Sequence, residues 1–132
     1  MLWNINFLAV IVAAVVSFIL GALWYSPWLF GKTWADTLGL RYENLNPTPK
    51  HYVSGIIMAF ITAFVLAMLV SWLNIYSARE GVLLGFLIWL GFLATSQYSG
   101  VIWANKPLKT YFIDTAFMLI NLVVMSTIIA VW

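Results

Sequence analysis

Gly55-Ile56-Ile57-Met58-Ala59-Phe60-Ile61-Thr62-Ala63-Phe64-Val65-Leu66-Ala67-Met68-Leu69-Val70-Ser71 is the stretch whose reading decides the fold. Gly55, Ala59, Ala63, Ala67 and Ser71 recur at every fourth position. On a helix that spacing sets all five small side chains on one face. Large apolar residues fill the other faces. Lipid tails are as apolar as leucine, so helices in a bilayer associate where small residues let their backbones approach. The stretch therefore reads as the second helix of a membrane bundle and as its main packing seam.

Composition agrees with that reading. The chain has 132 residues, 64% of them hydrophobic and 8% charged, and a mean hydropathy of +1.01. A soluble domain carries about 25% charged residues, so this chain has too little charge to cover a globular surface in water. It reads as one integral membrane domain, 1–132. Cysteine is absent, which excludes disulfides, thiol nucleophiles and thiolate metal sites. The formal charge of +2 is small and scattered, which argues against a nucleic-acid partner. The bilayer itself is the first partner.

Going outward from the seam, Asn4 to Tyr25 is a long run without a charged residue. About 20 apolar residues suffice to span. No Lys or Arg precedes the run, and Trp24-Tyr25-Ser26-Pro27 is no small-residue cleavage site, so a retained helix is expected rather than a signal peptide. Ala9, Ala13, Ser17 and Gly21 form its own small row, the natural partner of the row from Gly55 to Ser71. The spans are expected at about 4–25, 51–74, 81–103 and 110–131, with a short interfacial helix at about 27–38. In that short helix Phe30, Trp34 and Leu38 share a face opposite Lys32 and Asp36. The third span carries Gly81 and Gly85, then a further row, Gly91, Thr95 and Ser99. The fold class expected is an all-α, four-helix membrane protein arranged up-down-up-down.

Lys32, Arg41, Lys50, Lys106 and Lys109 lie in the first and third connections, and Arg79 alone lies in the second. The positive-inside rule then puts the first and third connections in the cytoplasm and both termini outside. Trp24, Trp28, Trp34 and Trp103 fall near the cytoplasmic interface, and Trp3, Trp72 and Trp132 near the outer one. Interfacial belts are the ordinary use of tryptophan in membranes. A short echo links Tyr25-Ser26-Pro27-Trp28 with Tyr98-Ser99-Gly100-Val101, each followed by a lysine, Lys32 and Lys106. Duplicated hairpins and chance both account for it.

The segment Gly21-Ala22-Leu23-Trp24-Tyr25-Ser26-Pro27, with Leu29-Phe30-Gly31-Lys32 and Trp34, resembles a family of small bacterial membrane proteins of unknown function. The Lys106-Pro107 turn and the polar start of the last helix are similar too. The resemblance implies a four-helix domain in the bacterial cytoplasmic membrane. It implies no reaction, substrate or cofactor.

Candidate chemistry centres on Asp114, the one acid well inside an expected span. Intramembrane ionisable residues are functional candidates by default. Thr110, Asp114 and Asn121 form a polar stripe, and the third connection folds Gln97 and Tyr98 back to the depth of Asp114. Tyr25 belongs near the same level. A carboxylate, amides and phenols together can bind a cation or the polar head of an amphiphile. The structural alternative is a carboxylate that complements the helix dipole, with Lys106 and Lys109 beside it. Asn121 has the same choice between binding a ligand and bonding a neighbouring helix. His51 is the only histidine, so a multi-histidine metal or haem site within one chain is excluded. No catalytic set or phosphate loop is visible.

Two functional classes lead, and a third, a membrane enzyme, has the least support. One is a non-enzymatic binding or assembly component, joining copies of itself or other membrane subunits. The other is a small transporter or channel for a cation or amphiphilic solute, using the cluster around Asp114. Small multidrug transporters have a similar helix count, but they use a glutamate in the first helix, and this first span has no acid.

Overall fold

A computed structural model describes residues 5–132; Trp3 and Asn4 lie outside the described residues. The described chain is helical. Helix α1 spans Phe7–Trp24, α2 Gly31–Thr37 and α3 Pro49–Trp72. Helix α4 spans Ala78–Ile88 and passes through a π-helical stretch, Trp89–Ala94, into α5, Thr95–Trp103. Helix α6 spans Leu108–Val131. Four rods are long and apolar enough to cross a membrane: Phe7–Trp24, Pro49–Trp72, Ala78–Trp103 and Leu108–Val131. Between α2 and α3 the chain makes one 3-10 turn, Tyr42–Asn44.

Helix ends follow local chemistry. The Asn6 carboxamide accepts the Ala9 amide at 3.2 Å and starts α1. At α3, the Thr48 amide donates to His51 Nδ1 at 3.0 Å, so histidine fills the place that a glutamate holds in the usual capping box. The lone histidine therefore has a local structural task. Ser77 Oγ accepts the Glu80 amide at 3.2 Å and starts α4 three residues before Gly81. At the other ends Gly39 and Asn74 take left-handed φ values of 72° and 54°. Leu40 then bonds back to the Ala35 carbonyl and Ile75 to the Val70 carbonyl, closing α2 and α3.

Helix α6, rather than α3, is the central element, because it lies against α1, α3 and α4 alike. Its buried residues accordingly surround it: Ile113, Leu122, Met125, Ser126 and Ile129 among them. Helices α1 and α3 also pack together, and Ala9, Ala13, Ser17, Ala59, Ala63 and Ala67 are buried. Gly21 and Gly55, the ends of those rows nearest the α1–α3 connection, face aromatic rings instead. A Cβ on Gly21 would stand 3.4 Å from Phe117 of α6, and one on Gly55 would stand 3.4 Å from Phe18. Ser71 is half-buried.

The tightest approach in the bundle is elsewhere, between α4 and α6. A Cβ on Gly81 would lie 2.9 Å from Thr127 Cα, and one on Gly85 would lie 2.8 Å from both the Leu122 carbonyl and Val123 Cα. These registers show that α4 and α6 run antiparallel. Ser126 is fully buried in the contact. Its Oγ lies 2.6 Å from the Gly81 carbonyl and 2.7 Å from the Leu122 carbonyl, and its one proton serves both. Two glycines one turn apart thus do what the longer alanine rows do less closely. In a bilayer this backbone proximity supplies the dispersion contact that holds helices together.

Gly85→Ala is expected to destabilise the protein by about 1–3 kcal/mol, the usual cost of overpacking, because the clash falls on α6 backbone. Gly91→Ala, where a Cβ meets nothing within 4 Å, is the control and should leave the melting temperature in detergent unchanged. Equal melting of the two variants would show that the α4–α6 contact is not the tight one.

Candidate functional site: the Tyr25–Asp114–Lys106 cluster

The site is assembled by two reversals of the chain. After α1 the segment from Trp24 to Gly31 folds back on itself: Phe30 N–H donates to the Trp24 carbonyl at 3.0 Å and Gly31 N–H to the Ser26 carbonyl at 3.0 Å. Gly31 has no room for a side chain, since a Cβ would collide with the Tyr25 carbonyl and sit 2.8 Å from both the Ser26 carbonyl and the Tyr42 ring. This reversal lays α2 against the start of α6, where Thr110 Oγ1 donates to Thr37 Oγ1 at 2.6 Å. It also holds Tyr25 over α6.

The second reversal follows α5. Asn105 takes a left-handed φ of 54°, and the Lys106 amide bonds to the Gly100 carbonyl at 3.1 Å. The aliphatic part of Lys106 passes over Gly100, whose missing Cβ would lie 3.7 Å from Lys106 Cδ. Its ammonium reaches Asp114 Oδ2 at 3.2 Å. From the other side the Tyr25 phenol donates to Asp114 Oδ1 at 2.6 Å. The carboxylate therefore holds one ligand per oxygen, one from the end of α1 and one from the α5–α6 turn. The pair is largely shielded, with side-chain exposures of 26% for Lys106 and 16% for Asp114, so the contact is stronger than a surface ion pair.

Aromatic rings wall the cluster. Tyr25 meets Trp34 and Phe117 edge-on, each at 5.6 Å between centroids. Trp24 packs against Phe30 at 4.6 Å and donates its indole N–H to the Ile113 carbonyl at 3.1 Å. Trp24 and Trp34 are thus packed inside the assembly, whereas Trp28 and Trp103 are exposed, at 87% and 85%. The Trp34 indole nitrogen is buried without a partner among the described residues.

The remaining expected site residues divide. Tyr25 joins Asp114 directly. No hydrogen bond joins Gln97 or Tyr98 to it; the Tyr98 ring stacks edge-on against Tyr111 at 5.3 Å. Tyr111 in turn donates to the Ala94 carbonyl at 2.8 Å, at the end of the π-helical stretch. The wider π turn leaves backbone groups to be satisfied from outside, and Tyr111 does so here. Trp89 ties the same stretch to α6 through the Thr115 carbonyl at 2.8 Å. The echo between Tyr25 and Tyr98 does not extend to their contacts, since one phenol binds a carboxylate and the other ring packs on a phenol. Asn121 lies two turns deeper on α6, and its Oδ1 is buried without a partner among the described residues. Among the described residues no group of three His, Asp or Glu side chains could hold a metal ion.

What the sequence did not show is the pairing across long separations: Thr37 with Thr110, Trp24 with Ile113, and Trp89 with Thr115. An indole N–H or a hydroxyl inside an apolar run was the available signal, because each must find an acceptor when lipid surrounds it.

Four helices long and apolar enough to cross a membrane define a multi-pass membrane protein. The chain belongs to the family described as protein of unknown function DUF1761, whose model matches residues 8–130. No curated protein and no solved structure matches it.

Tyr25→Phe removes one charge-assisted hydrogen bond and is expected to cost about 1.5–3 kcal/mol of stability. Asp114→Leu, which leaves the Lys106 ammonium and the Tyr25 phenol without their acceptor, should cost more, and Asp114→Asn less. Thermal unfolding in detergent measures all three. An Asp114→Leu variant as stable as the parent would show that the cluster does not hold the helices together.

Proposed function

We propose that the protein is a non-enzymatic binding or assembly component of the bacterial cytoplasmic membrane. The observation that carries this reading is the pairing of Asp114 within the chain. Both of its oxygens are taken by this chain's own Tyr25 and Lys106, so the charge fastens α1, the α5–α6 turn and α6 together. A carboxylate that carries a cation or proton must instead exchange its partners during each cycle. Assembly is further supported by Gly91, Thr95 and Ser99, which are exposed along one face of the π-helical stretch and α5. The Thr95 hydroxyl is bonded back to the Gly91 carbonyl at 2.8 Å. That leaves a smooth, small surface of the kind on which a second copy or another subunit packs closely.

Asn121 favours a second reading, a small transporter or channel for a cation or amphiphilic solute. Its Oδ1, buried and without a partner among the described residues, is an acceptor in line with Asp114, and intramembrane polar groups mark solute pathways. Liposomes separate the two. On the assembly reading, vesicles containing the protein leak monovalent and amphiphilic cations no faster than empty ones. Flux that Asp114→Asn abolishes, in a protein that still folds, would replace assembly by transport.

The orientation rests on charge. Five of the six Lys and Arg residues lie in the first and third connections, which supports a cytoplasmic position for both and an outside position for the two termini. Periplasm-active reporters fused at either end are expected to be active, and cytoplasm-active ones silent. The reverse pattern would invert the topology.

A further inference from the structure

A second feature lies on another face of α6. Val82, Leu83 and Phe86 of α4 and Leu119, Ile120, Val123 and Val124 of α6 line an open groove of about 630 Å³. Arg79 completes its lining at one end, and no other charged side chain contributes. The groove arises from the same contact that joins the helices. Gly81 and Gly85 bring α4 onto α6, so the larger side chains flanking that seam stand out on both sides of a furrow.

Arg79 is a cation without a partner among the described residues. Lys106–Asp114 is the ion pair among the described residues, and Arg79 makes no hydrogen bond there. Its neighbour Glu80 is turned to another task, since Ser77 Oγ donates to Glu80 Oε1 at 2.8 Å within the helix start. Adjacent helical residues also point about 100° apart, so Glu80 does not share the groove face.

Depth then selects the ligand. The rod Ala78–Trp103 has 26 residues, more than the about 20 that cross a hydrocarbon core of about 30 Å. Its first turn therefore stands at headgroup level, and the residues from Val82 onward stand among acyl chains. From Arg79 to Phe86 the groove descends about 10 Å along α4. A guanidinium at the phosphate plane above an apolar furrow matches an anionic phospholipid, with the phosphodiester on Arg79 and one acyl chain between α4 and α6. Guanidinium–phosphate pairing is charge-assisted and bidentate. The contrast is the smaller pocket of about 120 Å³ lined by Ala14, Val15, Phe18, Ile19, Ile56 and Phe60. With no polar anchor, it can accept any acyl chain and select none.

We infer that the α4–α6 groove is a selective site for one anionic phospholipid, anchored by Arg79. The site is independent of the Asp114 cluster and of the assembly reading.

Native mass spectrometry of the whole chain in detergent tests it, with dioleoyl phosphatidylglycerol and dioleoyl phosphatidylcholine as probes. The parent is expected to retain one phosphatidylglycerol at least tenfold more often than phosphatidylcholine. Arg79→Gln should bring the two lipids within twofold of each other, and Arg79→Lys should keep most of the preference. Val123→Trp, which fills the furrow, should reduce retention of both, with helical content checked by circular dichroism. No headgroup preference in the parent, or an undiminished one in Arg79→Gln, would overturn the site. So would a dimer that retains no lipid and that Val123→Trp separates, because the occupant would then be a second copy.

Discussion

The contact on which the bundle depends is the closure of α4 onto α6 through Gly81, Gly85 and Ser126. In water, burying large apolar side chains would drive such a pairing. In a bilayer that driving force is missing between helices, and what remains is contact distance and internal hydrogen bonding. Two glycines one turn apart remove the side chains that would hold the backbones apart. Ser126 fills the space without exceeding it and gives its proton to carbonyls of either helix. Because α6 also lies against α1 and α3, the position of α4 is passed to the rest of the molecule through one central rod.

The polar cluster solves a different problem at one end of that rod. A carboxylate just inside a membrane helix is costly unless it is paired. Here the pairing is made by two residues that sit at chain reversals rather than within spans. Tyr25 arrives because Gly31 permits the tight fold after α1, and Lys106 arrives because Asn105 turns left-handed after α5. The cluster therefore joins the end of α1, the turn before α6 and α6 itself. The aromatic wall of Trp24, Phe30, Trp34 and Phe117 shields it and raises the strength of each polar contact. The resemblance segment from Gly21 to Trp34 acquires a physical meaning from this geometry. Trp24, Tyr25, Gly31 and Trp34 are the residues that make and cover the reversal.

The two surfaces left over differ in kind. The row Gly91, Thr95 and Ser99 is smooth and small, suited to another helix. The α4–α6 furrow is ridged and apolar, with Arg79 at its head, and this is where we infer a lipid. One molecule can use both without conflict, because they occupy different parts of the rod from Ala78 to Trp103. Neither surface calls for chemistry on a bound substrate.

Sequence alone determined the class of the protein, since four long apolar segments admit no other folded form when so few charges are available to face water. It also determined that Asp114 needs a partner and that Lys106 and Tyr25 are within reach of it. It put the main seam on α3, whereas the closest backbone approach lies between α4 and α6. The five-residue row from Gly55 to Ser71 is longer than the pair Gly81 and Gly85, and periodicity counts repeats without measuring distance. Tertiary structure decided the matter through what stands opposite. Gly55 meets the Phe18 ring, whereas Gly85 meets bare backbone and a serine. The same reason separates Gln97 and Tyr98 from Asp114: equal depth places residues at one level of a bundle, and only the rotation of each helix decides which of them touch.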